Sequence, residues 1–102
     1  MSARLRPMRL ADLDAVLELE EQLFAPDTWT RAMYRDELSR TDTRSYLVAE
    51  DGDRVVGYAG LIAYDDEAHV ATIGVAPDRL QAMTSAKGVR DVTSGVLLLA
   101  GL

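Results

Sequence analysis

The sequence contains no cysteine, so it can form neither a disulfide nor a thiolate metal site. His69 is its only histidine, and we predict no metal site. Basic residues are also few: 11 Lys and Arg stand against 17 Asp and Glu, giving a net charge of −6. Nucleic acid is therefore not an expected partner, because its recognition needs a basic surface. An acidic surface remains compatible with a basic peptide.

Long apolar runs are missing too. The longest, residues 96–100, is far shorter than the roughly 20 residues that cross a bilayer. Residues 1–6 lack the apolar centre of a signal peptide. We therefore expect a cytoplasmic location and no membrane partner.

The apolar fraction of 48% in 102 residues predicts one folded domain with a modest core. Residues 4–8 alternate weakly and predict an edge strand, where Pro7 is tolerated. Apolar residues at helical spacing predict a helix over residues 10–23. A second helix is expected after a hydroxyl cap at residues 28–30, with these residues at helical spacing: Met33, Tyr34, Glu37 and Leu38.

From Ser45 the apolar period becomes two. Residues 46–49, 54–63 and 68–75 are predicted strands, separated by turns at residues 51–53 and 64–67. An edge strand, two helices and then a three-stranded antiparallel meander make an α+β fold.

Several segments carry a family resemblance: residues 6–8, 11–13, 26–30, 46–50, 56–60 and Thr72-Ile73-Gly74-Val75-Ala76-Pro77. Together they resemble the amino-terminal half of a GNAT-superfamily N-acetyltransferase, and the resemblance covers residues 4–79. The chain is most similar, within that superfamily, to bacterial enzymes that acetylate the amino-terminal alanine of a ribosomal protein. The resemblance implies a partial GNAT-like fold, acetyl-CoA as co-substrate, and a peptide amino terminus or small amine as acceptor.

The resemblance also implies a cofactor-binding strand. Its main chain at Ile73, Gly74 and Val75 would bind the pantetheine arm of acetyl-CoA, and Gly74 would allow close approach. The alternative is that Ile73 and Val75 are ordinary core residues of a strand.

Catalytic and acceptor residues are harder to assign. Glu67 and His69 lie near the position where other branches of the superfamily place a carboxylate base, and a histidine can accept an amine proton. The alternative is a partly buried strand histidine beside a solvated turn carboxylate. Phe24 and Trp29 would line a peptide groove between the two helices, or would simply seal the core.

The sequence after Arg79 departs from the family. A Gln/Arg-x-x-Gly-x-Gly/Ala loop normally holds the pyrophosphate, but Met83 and Ser85 occupy its glycine positions here. We therefore divide the chain into a GNAT-like part, residues 1–79, and a divergent or out-of-frame tail, residues 80–102. Three interpretations stay open. The chain is an acetyltransferase, a truncated or frame-shifted inactive relative acting as an interaction module, or a small non-enzymatic domain that pairs with a partner through an open sheet edge. An open sheet edge would also favour self-association.

Overall fold

A computed structural model describes residues 3–79, so the divergent tail, with the positions where the family has its pyrophosphate loop, lies outside the described residues. Its elements follow one another in this order: β1 (Arg4–Pro7), a 3-10 turn (Leu10–Asp12), α1 (Leu13–Phe24), α2 (Arg31–Ser39), β2 (Arg44–Asp51), β3 (Arg54–Tyr64), β4 (Glu67–Val75) and a second 3-10 turn (Pro77–Arg79).

The four strands form one antiparallel sheet in the order β1-β2-β3-β4. This confirms the predicted α+β fold with an edge strand, two helices and a meander. The last hairpin is tighter than predicted, because Tyr64 and Glu67 pair with each other. The turn is left to Asp65, whose φ is 50°, and Asp66.

Both helices pack on one face of the sheet. Helix α1 buries Leu13, Val16 and Leu19 while Asp14 and Glu18 face solvent, as expected for an amphipathic helix. Helix α2 begins after Thr30, whose hydroxyl accepts a hydrogen bond from the Met33 N–H at 3.2 Å. The predicted hydroxyl cap is therefore confirmed. Neither helix in residues 3–79 is long and apolar enough to cross a membrane.

An ion-pair network fixes the start of α1 to the sheet. The Arg6 guanidinium donates to both carboxylate oxygens of Asp12 at 2.7 and 2.8 Å, and to Glu50 at 2.9 Å. Asp12 also accepts the Arg9 N–H at 2.8 Å. Its side chain is only 8% exposed. The bond from Arg6 is the main reason why the pKa of the Asp12 carboxyl lies below its ordinary value of 3.8.

Replacing Asp12 by asparagine should lower the free energy of unfolding by about 1–2 kcal/mol at neutral pH, because the charge-assisted bonds to Arg6 are lost. The lowered folded-state pKa makes this contribution fully present above 3.8 and removes it as the pH falls through the folded value. Denaturant titrations of both proteins between pH 7 and pH 2 measure the effect, and the two curves should converge in acid.

The exposed Asp14→Asn variant is the matched control and should change stability by no more than about 0.5 kcal/mol. A constant difference between wild type and Asp12→Asn across the whole pH range would contradict the assignment.

Candidate functional site

Two tyrosines of the sheet lie across glycines on the neighbouring strand. Tyr46 of β2 is opposite Gly60 of β3, and Tyr58 of β3 is opposite Gly74 of β4. A β-carbon at Gly74 would lie 2.6 Å from the Tyr58 ring, closer than real atoms pack. Gly74 therefore has a structural reason to be glycine, besides the cofactor approach that the sequence suggested.

The pairing of β3 with β4 determines which backbone groups face outward. The Ala76 N–H donates to the Val56 carbonyl at 2.8 Å, in the same register as the Tyr58–Gly74 pair. Hydrogen-bonded and non-bonded pairs alternate along an antiparallel ladder. The backbone of Gly74 therefore faces β3, whereas the N–H and C=O groups of Ile73 and Val75 face away from it.

Strand β4 ends the described sheet, and within residues 3–79 no strand pairs with its outer edge. We call the outward backbone groups of Ile73 and Val75 the open edge. The Ile73 side chain is 47% exposed beside it. Of the three residues predicted to bind cofactor, these two have outward backbone groups with which no strand of residues 3–79 pairs, and Gly74 lies between them.

A bulge divides β4 into two halves. Gly60 is opposite Thr72 and Leu61 is opposite Val70, so Ala71 has no partner on β3. Bulges bend a strand and re-aim its residues. The bulge lies between the open edge and the first half of the strand.

The two catalytic candidates lie in that first half. Glu67 and His69 point to the same face and are both well exposed, with 3.6 Å between a carboxylate oxygen and the imidazole Nε2. His69 is thus not the partly buried strand residue of the alternative interpretation. Ile73 is four residues further along, roughly 13 Å at the usual rise of a strand. The structure brings the two candidates together but away from the open edge.

A buried carboxylate, Glu20 of α1, lies beneath the sheet and is only 1% exposed. It accepts the Tyr34 and Tyr58 hydroxyls on one oxygen at 2.6 and 2.9 Å. Its other oxygen accepts the Trp29 N–H at 3.2 Å. Burial, and then the bond to Glu20, raise the pKa of both phenols, so they stay protonated and act as donors.

The sequence analysis did not select Glu20. The available signal was its spacing, since Glu20 follows Val16 by four residues and Leu13 by seven, which places it on the apolar face of α1. A carboxylate on such a face must find donors, because burying an unpaired charge is very unfavourable. Tyr34 and Tyr58 supply them here.

The predicted acceptor residues have different surroundings. The Trp29 ring lies 5.0 Å from the Tyr34 ring and packs against the core. Phe24 is 42% exposed at the end of α1. An acceptor groove between the helices stays a prediction for both residues.

A second carboxylate–tyrosine pair joins α2 to β2 on the face of the sheet that the helices cover. The Tyr46 hydroxyl donates to Glu37 at 2.7 Å, and the Arg44 Nε donates to the same carboxylate at 3.1 Å. Burial and the bond to Glu37 raise the pKa of Tyr46. Among residues 3–79, no group of three His, Asp or Glu side chains could hold a metal ion.

Comparison with solved structures shows where this fold occurs. The ribosomal-protein-S18-alanine N-acetyltransferase of Escherichia coli superposes with a TM-score of 0.74 at 15% identity, covering 92% of this chain and 59% of that one. The PaiA N-acetyltransferase of Thermoplasma acidophilum, solved in complex with coenzyme A, superposes with a TM-score of 0.72 at 13% identity, covering 92% and 71%. At these identities the likeness establishes the fold.

Sequence comparison adds the family. A Bacillus subtilis (strain 168) protein, provisionally named as the alanine N-acetyltransferase of ribosomal protein bS18, is 34% identical over 76 residues. These are 74% of this chain and 50% of that protein, so the chain spans about half the length of this relative. The model of the acetyltransferase (GNAT) family matches residues 13–81. The chain therefore belongs to the GNAT family of acetyltransferases, as its sequence segments had suggested.

Proposed function

We propose that this chain transfers an acetyl group from acetyl-CoA to the amino terminus of a peptide, with alanine as the acceptor residue. The observation that carries the proposal is the open edge of β4. The similarity to the Bacillus subtilis protein supports the peptide acceptor. The solved complex of a protein with the same fold and coenzyme A supports the cofactor.

The open edge suits the pantetheine arm of acetyl-CoA. That arm carries two amides, which can pair with outward strand groups as an added strand would. Ile73 and Val75 offer such groups, and the exposed Ile73 side chain offers an apolar surface beside them. These two residues would bind the arm, and the Tyr58 ring packs against the backbone of Gly74 between them.

The reaction joins the amine nitrogen to the thioester carbonyl carbon, and the carbon–sulfur bond breaks as coenzyme A leaves. The ammonium group must first lose a proton to become a nucleophile, and the departing thiolate gains one. We propose His69 as acceptor of the amine proton, with Glu67 beside it to orient the imidazole. Both are exposed and so accessible to an acceptor peptide.

The open edge can be tested by removing one backbone donor. In the Ile73→Pro variant the outward N–H is lost, but no ladder hydrogen bond is, since this N–H faces away from β3. We expect acetyl-CoA binding, measured by isothermal titration calorimetry, to weaken about tenfold, the effect of one hydrogen bond. Ile73→Ala keeps the N–H and should weaken binding less. Equal affinities of these two variants would argue against backbone contacts at Ile73.

A second candidate function is a catalytically inactive relative that acts as an interaction module. It is favoured by the sequence after Arg79, where Met83 and Ser85 replace the expected glycines. The full 102-residue chain distinguishes the two candidates when it is mixed with acetyl-CoA and a peptide beginning with alanine. Acetylation seen by mass spectrometry, and absent from an amino-terminally blocked peptide, supports the enzyme. No binding of acetyl-CoA at millimolar concentration supports the inactive relative.

A further inference from the structure

The Glu20 carboxylate has no part in the chemistry proposed above. At 1% exposure it cannot touch an acceptor or acetyl-CoA. A buried carboxylate is nevertheless unfavourable unless donors surround it, and an apolar residue would fill the space without that requirement. Its three donors come from three different parts of the fold: β3, α2 and the connection between the helices.

We infer that Glu20 is a positioning residue that fixes the open edge of β4 and the connection between α1 and α2 relative to each other. It acts through Tyr58 on the one side and through the Trp29 backbone on the other. The consequence for ligand binding rests on the proposed function, whereas the positioning itself does not.

The first link from Glu20 runs through Tyr58 to the open edge. Its hydroxyl is held by Glu20 at 2.9 Å, which leaves its ring directly on the backbone of Gly74. Gly74 lies between Ile73 and Val75, the two residues of the open edge. A shift of the ring therefore changes the position of the backbone groups of Ile73 and Val75 that would bind the pantetheine arm.

The second link from Glu20 runs through Trp29 to the connection between the helices. Its N–H donates to the other Glu20 oxygen at 3.2 Å, and its ring packs against Tyr34, which donates to the first oxygen. Trp29 lies in the connection that is predicted to line the acceptor groove. A single carboxylate accepts the hydrogen bonds of both links. A change of hydrogen bonding at one of its oxygens is therefore transmitted to the other, as in other shared hydrogen-bond networks.

The test compares two matched tyrosine variants of the 102-residue chain. Tyr58→Phe and Tyr46→Phe each remove one phenol hydroxyl that donates to a carboxylate, and each ring lies across a glycine. The two side chains are similarly buried, at 3% and 7% exposure. Tyr46 binds Glu37 instead of Glu20, so its variant controls for a general loss of stability.

In the ligand-free chain, we expect Tyr58→Phe to shift the backbone amide resonances of Ile73, Val75 and Trp29, and Tyr46→Phe to leave them in place. Acetyl-CoA affinity should fall about threefold to tenfold in Tyr58→Phe, which lies within the usual range for a residue acting without ligand contact, and stay unchanged in Tyr46→Phe. Glu20→Gln places an amide group among the same donors. It should shift the resonances of the open edge, Ile73 and Val75, and also that of Trp29.

Amide shifts that are the same in the two tyrosine variants, or a Trp29 resonance that does not respond to Tyr58→Phe, would overturn the inference. If the wild-type chain does not bind acetyl-CoA, the proposed function fails. The amide resonances still decide the positioning role in that case, because they are measured without ligand.

Discussion

Replacement of Glu20 by alanine is expected to lower the free energy of unfolding by about 3–5 kcal/mol. The substitution leaves the buried hydroxyls of Tyr34 and Tyr58, and the part-buried N–H of Trp29, without their acceptor. Each unsatisfied buried group costs about 1–3 kcal/mol, and the removed side chain leaves a cavity. A domain of this size has about 5–15 kcal/mol in total, so the variant should be close to its stability limit.

Urea unfolding followed by circular dichroism measures this loss. Glu21→Ala is the control, because Glu21 is the next residue on α1 and faces solvent. It should change the unfolding free energy by no more than about 0.5 kcal/mol. Similar midpoints for Glu20→Ala and Glu21→Ala would mean that the Glu20 carboxylate does not bind these three donors.

Gly60→Ala is expected to be the next most destabilising change, at about 2–3 kcal/mol. The new β-carbon would collide with three atoms of the Tyr46 ring, which is buried and bonded to Glu37. The ring cannot move aside without losing that hydrogen bond. Ordinarily alanine would be preferred to glycine within a strand, so the predicted sign is the reverse of the general trend.

Gly57→Ala serves as the control for this prediction. A β-carbon at Gly57 would meet no ring, and its nearest neighbour would be the Gly74 carbonyl oxygen at 3.2 Å. Thermal unfolding should show a clearly smaller loss for Gly57→Ala than for Gly60→Ala. A further variant combining Gly60→Ala with Tyr46→Leu should recover part of the loss. A gain of stability in Gly60→Ala alone would refute the Tyr46–Gly60 pairing.

Much of the fold could be predicted because its signals are local. Helix α1 follows from apolar residues at helical spacing, α2 from the Thr30 cap, and the meander from alternation and the turn at Gly52, where φ is 62°. These patterns need no knowledge of distant residues. They also supported the family resemblance, which the family model then confirmed over residues 13–81.

The candidate site was less predictable because its features depend on pairing. Which backbone groups of β4 face outward depends on the register of its pairing with β3. A shift of that register by one residue would turn the backbone groups of Gly74 outward and those of Ile73 toward β3. The reason for glycine at position 74 is the Tyr58 ring on the neighbouring strand. The spacing of Glu20 places it on the apolar face of α1, but its two tyrosine donors come from α2 and β3 and are brought together only by the fold.

The position of the sole indole gives this chain an intrinsic optical reporter. Trp29 lies at the meeting point of both helices, with its ring beside that of Tyr34. Excitation at the red edge of the absorption band selects this one chromophore, so its emission reports on a single place in the native protein. Titrations, stopped-flow mixing and refolding of the unlabelled chain can therefore all be read from the same signal.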